Sequence, residues 1–167
     1  MALENLVQMQ DPEVFENSTA EHALIVFGTI FKNCNSKLKV FADRFTGRVS
    51  NQKFFLKSLE EFLLKEGSSL DIIFENEPNQ DSLALKLING FKGKVNTYRL
   101  NPKGFSHEYP NKPGYFLIGD GKMFRLQKLE NQEKYNAFCS FNNPKIANSL
   151  ENIFNILLKY STPINNN

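Results

Sequence analysis

Three short β-forming runs, Leu38 to Phe41, Ser69 to Glu75 and Val95 to Leu100, alternate with two runs of helical spacing, and this constrains the fold more than any other feature. Strands separated by helices of about ten to fifteen residues build right-handed β-α-β crossovers, because only that hand returns the helix onto the sheet. The first hundred residues are therefore expected to be α/β. A helix over about 19–33 is announced by a capping box, Ser18-x-x-Glu21, and by the apolar face of Ala23, Leu24, Val26, Phe27, Ile30 and Phe31. Ser50 is placed to cap a second helix carrying Phe55, Leu59, Phe62 and Leu63, which Gly67 ends. Asp81 or Ser82 opens a third through Leu83, Leu87 and Ile88, stopping near Gly90 and Gly93.

Beyond residue 100 the pattern changes. Asn101 to Gly114 reads as a Pro/Gly-rich loop, and Tyr115 to Ile118 and Met123 to Gln127 flank Gly119-Asp120-Gly121. Asp-Gly between two apolar runs marks a hairpin, since a type I′ turn needs positive φ at both central residues. Another strand is expected from Tyr135 to Phe141. Asn143 then caps a last helix with Pro144 in its first turn and a stripe of Ile146, Leu150, Ile153, Phe154, Leu157 and Leu158. The expected fold is a single α/β domain over 17–161. Its mixed, largely parallel sheet of five or six strands is flanked by about four helices. Residues 1–16 read as an N-terminal arm and 162–167 as a flexible tail.

Composition narrows the class. At 167 residues the chain suits one domain, and a net charge of +2 marks no polybasic protein. No apolar run nears the ~20 residues of a membrane helix and the N-terminus lacks a signal-peptide pattern, so a cytoplasmic protein without membrane contact is expected. The two cysteines, Cys34 and Cys139, are too few for a disulfide scaffold and read as free buried thiols.

Chemistry-bearing patterns are sparse. The two histidines are His22, inside the first helix pattern, and His107, on the long loop and the better candidate for a base. Asp71, Glu75 and Glu77 alternate along a strand but have no His or Lys beside them to complete a nuclease-type metal cluster. Gly119-x-Gly121-Lys122 falls short of a P-loop. No catalytic residue, metal or cofactor is therefore assigned.

Charge is unevenly spread. From Lys32 to Lys57 seven cations stand against Asp43, a balance of +6; from Glu60 to Asp81 seven acids stand against Lys65, a balance of −6. Within the basic segment Lys37, Lys39, Arg44, Arg48, Lys53 and Lys57 are the candidate contacts to DNA, RNA or an acidic partner, against the plainer alternative of a solvated face. Arg44 and Arg48 follow the first strand, at the carboxyl end where α/β folds place their sites.

Two segments carry a family resemblance. Pro113-Gly114-Tyr115-Phe116-Leu117-Ile118-Gly119-Asp120-Gly121-Lys122, followed by Phe141-Asn142-Asn143-Pro144-Lys145-Ile146-Ala147, resembles a phospholipase D-like domain, in which a His-x-Lys-x-x-x-x-Asp strand leads through a Gly-containing hairpin to the last helix. Asp120 falls at the motif's Asp, but Pro113 stands at its His and Tyr115 at its Lys. That family's chemistry needs an imidazole to attack phosphorus and a Lys to stabilise the equatorial oxygens. The resemblance thus implies a scaffold without activity. It also implies pairing as a homodimer, as in single-motif members. By analogy with small inactive members it implies an accessory protein for a larger protein or nucleoprotein complex, such as a bacterial CRISPR-type defence effector. The alternative is a phosphodiesterase or nuclease with an atypical site built on His107.

Overall fold

The computed structural model describes residues 5, 7, 10–128 and 135–164. Most of the expected arm lies within them, while residues 165–167 of the expected tail lie outside. In chain order the elements are β1 (Phe15–Asn17), α1 (Ala20–Asn33), β2 (Lys37–Ala42), α2 (Lys53–Leu64), β3 (Ser69–Phe74), α3 (Leu83–Asn89), β4 (Val95–Leu100), α4 (Pro102–Glu108), β5 (Phe116–Gly119), β6 (Met123–Gln127), β7 (Ala137–Ser140), α5 (Pro144–Lys159) and β8 (Ser161–Pro163). The strands form one sheet in the order β1-β7-β6-β5-β2-β3-β4-β8.

The α/β domain with a mixed sheet is as expected, with three corrections. The sheet has eight strands rather than five or six, because β1 and β8, three residues each, pair antiparallel along its two edges. Phe15 and Glu16, expected in the arm, and Thr162 and Pro163, expected in the tail, belong to these strands. Only β2, β3 and β4 run parallel to one another; β5, β6 and β7 form an antiparallel meander, so the sheet is not largely parallel. The helices number five among the described residues, the unexpected one being α4. It sits in the supposed loop and starts as α5 does: Asn101 accepts from the Gly104 N–H with Pro102 in the first turn, as Asn143 accepts from Ile146 ahead of Pro144.

Other caps shift by a residue or two. Thr19, not Ser18, accepts the His22 N–H, and α2 starts at Lys53 after Gln52, with Ser50 buried in the preceding turn. Ser82 caps α3 as expected. Asp120 and Gly121 both have positive φ, as a type I′ turn requires, and the Lys122 N–H donates to the Gly119 carbonyl at 3.1 Å.

Successive strand residues face opposite sides, so the sheet divides two cores. Leu38, Leu70, Ile72, Phe74, Leu117 and Met123 meet α1, α2 and α3 on one side. Phe41, Ile73, Phe116, Ile118 and Phe124 meet α4 and α5 on the other. The first core is aromatic where the helices cross: Phe55 packs edge-on to Phe27 and Phe31, with ring centroids 5.3 and 5.1 Å away. Each such buried ring is worth about 1.5–3 kcal/mol. Near the end of β6 the chain passes so close that a Cβ on Gly114 would lie 2.0 Å from the Gln127 carbonyl oxygen, which admits glycine alone.

Candidate functional site: a cleft at the strand ends

Because β2 and β3 are parallel, both finish at the same edge of the sheet, where Asp43 and then Glu75 and Asn76 follow. The antiparallel β5 begins at that edge, with Phe116 opposite Phe41, so Tyr115 arrives there too. The end of β6 and the entry to β7 add Gln127, Lys128 and Tyr135. These groups surround a cleft of about 850 Å³ that runs from the sheet edge down between the sheet and helices α1 and α2.

The outer part is polar. The Tyr115 hydroxyl donates to Glu75 Oε2, and Lys112 Nζ lies 2.6 Å from the same oxygen and 4.9 Å from the Tyr115 ring centre. Burial, the hydrogen bond to Glu75 and the charges of Glu75 and Asp43 push the Tyr115 phenol far above its ordinary range, against the opposing pull of Arg44. Tyr115 is therefore a fixed donor. Asn76 Nδ2 donates to Asp43 Oδ1 at 2.7 Å, and Arg48 sits over the Tyr135 ring.

The inner part is apolar with one cation. Phe27, Phe31, Phe55, Leu59 and Ile72 wall it, and Arg125, 6% exposed, enters from β6. Its Nε donates to Asn17 Oδ1 and its Nη2 to the Tyr135 carbonyl, both at 3.2 Å, and the guanidinium lies 4.9 Å from the Phe27 ring centre. Burial pulls its pKa below the usual arginine range.

The candidate binding residues fall in different places. Arg48 lines the cleft, and Arg44, half exposed, acts electrostatically on Tyr115 beside it. Lys37, at the other end of β2, pairs with Asp71 at 3.1 Å. Lys39 is turned under α5, paired with Glu151 and over the Phe154 ring. Lys53 is exposed at the start of α2, and Lys57 lies 3.9 Å from Glu61 one turn on. Of the six, Arg48 alone lines the cleft and Arg44 stands beside it. His22 is exposed in the first turn of α1, and His107 is exposed on α4 rather than on a loop; neither lines the cleft. The Asp71, Glu75 and Glu77 set is dispersed: Asp71 pairs with Lys37, Glu75 with Lys112, and Glu77 faces Arg99. Among the described residues no three His, Cys, Asp or Glu gather as a metal site, and no helix is long and apolar enough to cross a membrane.

No protein-family model matches the chain, and no curated protein matches it in sequence. Solved structures do. Nuc from Salmonella typhimurium, described as a phospholipase D family member, superposes with a TM-score of 0.66 at 15% identity, over 92% of this chain and 99% of that one. The fold is phospholipase D-like. NucT from Helicobacter pylori gives 0.60 at 13% identity over 91% and 100% of the two chains. TrmBL2, an archaeal chromatin protein whose structure shows a mode of DNA binding, gives 0.60 at 12% identity over 98% of this chain and 60% of its own.

On this phospholipase D-like frame Tyr115 opens β5 at the cleft, while Asp120 ends the same segment at the far edge of the sheet. Sequence reading weighed Glu75 only within a metal cluster, and missed Lys112 and Arg125 as parts of the site. The signal for Arg125 was present: a lone charge inside the apolar run of β6.

Proposed function

We propose that the chain is a non-catalytic binding module that takes its ligand in the strand-end cleft and serves as an accessory to a larger protein or nucleoprotein complex. The observation that carries this reading is the Tyr115–Glu75–Lys112 cluster at the mouth of the cleft. A phosphoryl-transfer site needs a nucleophile and a mobile proton there. The cluster instead offers a phenol held protonated, a carboxylate that receives it, and an ammonium paired to that carboxylate. Neither histidine lines the cleft, which weighs against the alternative of a phosphodiesterase built on His107. Self-association and contact to nucleic acid through Arg44 and Arg48 belong to the same reading.

The test is turnover. Purified protein incubated with bis(4-nitrophenyl) phosphate and with single- and double-stranded DNA is expected to give no product above buffer. Turnover that disappears in His107→Ala overturns the reading in favour of the enzyme.

A further inference from the structure

Among the described residues Arg125 is a buried cation without a counter-charge. Taking a guanidinium out of water costs several kcal/mol unless an opposite charge or a full set of acceptors replaces the water. Its acceptors here are two neutral oxygens, Asn17 Oδ1 and the Tyr135 carbonyl. Nη1 has no protein partner among the described residues, and no described carboxylate lies within ion-pair distance of the group. The described acids around the mouth are engaged elsewhere: Glu75 with Lys112 at 2.6 Å, Glu16 with Lys128 at 2.8 Å, and Asp43 with Asn76. Cys139 shares Asn17 Oδ1 with Arg125 but supplies no charge, since burial pushes its thiol up to about 12.

The surroundings say what kind of anion would suit. Arg125 stands against a wall of Phe27, Phe31, Phe55, Leu59 and Ile72, in a cleft of about 850 Å³. That volume is within the ordinary range for a small organic ligand. A single buried positive charge is matched by one negative charge. A phosphate monoester, carrying nearly two, would leave an excess in an apolar wall, because Arg48 is solvent-exposed at the mouth. The guanidinium fork fits a carboxylate bidentately.

We propose that the compartment beneath α1 and α2 binds a small organic monocarboxylate, its charge held by the Arg125 guanidinium and its apolar body lying against the phenylalanines. This rests on the cleft being a binding site rather than a catalytic one. It adds the ligand class.

The experiment is calorimetric titration of the full chain with octanoate, octanol and octyl phosphate, with bis(4-nitrophenyl) phosphate turnover measured on the same preparation. Octanoate is expected to bind at least tenfold more tightly than either comparator. Arg125→Met should lose at least tenfold for octanoate with little change for octanol, and Arg125→Lys should fall between. The comparison among ligands on the unaltered protein needs no variant to fold. Octanoate and octanol binding alike, or neither binding, overturns the inference, and octyl phosphate binding most tightly does so as well. Turnover overturns the non-catalytic reading itself. Failed octanoate discrimination without turnover overturns the ligand class alone.

Discussion

The carboxylate of Asp120 accepts the backbone N–H of Lys37 at 2.9 Å, tying the β5–β6 turn to the entry of β2. The N–H groups of Asn35 and Ser36 and the Ser36 hydroxyl donate to the same carboxylate at 2.7–3.0 Å. Asp120 therefore acts as a clamp. Tyr115 stands five positions earlier, roughly 16 Å away along a strand, so Asp120 does not reach the cleft mouth.

Burial alone would raise the pKa of Asp120, but the donors from Asn35, Lys37 and Ser36 outweigh it and hold the group well below the usual carboxylate range. A depressed folded-state pKa contributes stability above the unfolded value near 4 and loses it as pH falls toward the folded value. Asp120→Asn keeps a residue that tolerates the positive φ but removes the charge. Urea unfolding should show a loss of about 1–3 kcal/mol at neutral pH. The deficit should shrink below about pH 4, where the carboxylate of the unfolded chain takes up a proton that the folded one still refuses. A deficit constant across pH would mean that the charge contributes nothing.

Phe154 is 1% exposed at the centre of the core under α5, with Lys39 above its ring. Phe154→Ala should cost about 3–5 kcal/mol by leaving a cavity. An unchanged thermal midpoint would show that α5 contributes little to the fold.

The elements legible in the sequence were those with a strong local signal. β4, β6 and α5 fall on the expected residues because each couples an unbroken period to a clear stop or cap, as at Asn143-Pro144. The edge strands β1 and β8 were hidden, since three residues held mainly by pairing to Cys139 and Arg99 carry no period of their own. The site was less legible than the fold. Glu75 lies forty residues before Tyr115 in sequence, and it is the parallel β2–β3 pair with the reversed β5 and its hairpin partner β6 that brings Glu75, Tyr115 and Arg125 to one cleft. The basic segment looked continuous because charge was read along the chain. Alternation along β2 then sent Lys39 under α5, and strand direction left Lys37 at the far edge.

Both cysteines are buried, and burial pushes each thiol up to about 12, with the neighbouring Asp120 adding to the effect at Cys34. The thiolate is the reactive form, so neither should react measurably with Ellman's reagent at about pH 8 in the native protein. Both should react in denaturant. Rapid labelling of one thiol without denaturant would show local opening at that site.

Self-association is proposed from the phospholipase D-like resemblance and the apolar stripe of α5, and is read by light scattering. The expected mass at micromolar concentration is twice the 19.2 kDa of the chain. A mass that stays at the monomer value as concentration rises removes the dimer from the proposal.

Arg44 and Arg48 are the cations of the basic segment that the fold brings to the cleft side, both exposed and on the loop that follows β2. Lys37 and Lys39 are held in close pairs with Asp71 and Glu151, while Arg44 and Lys57 lie only at the edge of ion-pair distance from Asp43 and Glu61, 4.0 and 3.9 Å away. Two neutralised phosphates on duplex DNA give a log-log salt slope of roughly −0.9 × 2, or about −1.8, so binding should be weak and indifferent to sequence. An acidic protein surface would be read by the same pair, since an arginine fork meets carboxylate and phosphate oxygens alike. The measurement is a salt titration of duplex DNA binding, with a partner pull-down, comparing wild type with Arg44→Glu/Arg48→Glu. The double substitution reverses two charges at exposed positions, so its thermal midpoint should stay close to wild type while binding and its salt dependence disappear. Binding retained by the variant at every salt concentration would make the loop a solvated face and place the contact elsewhere.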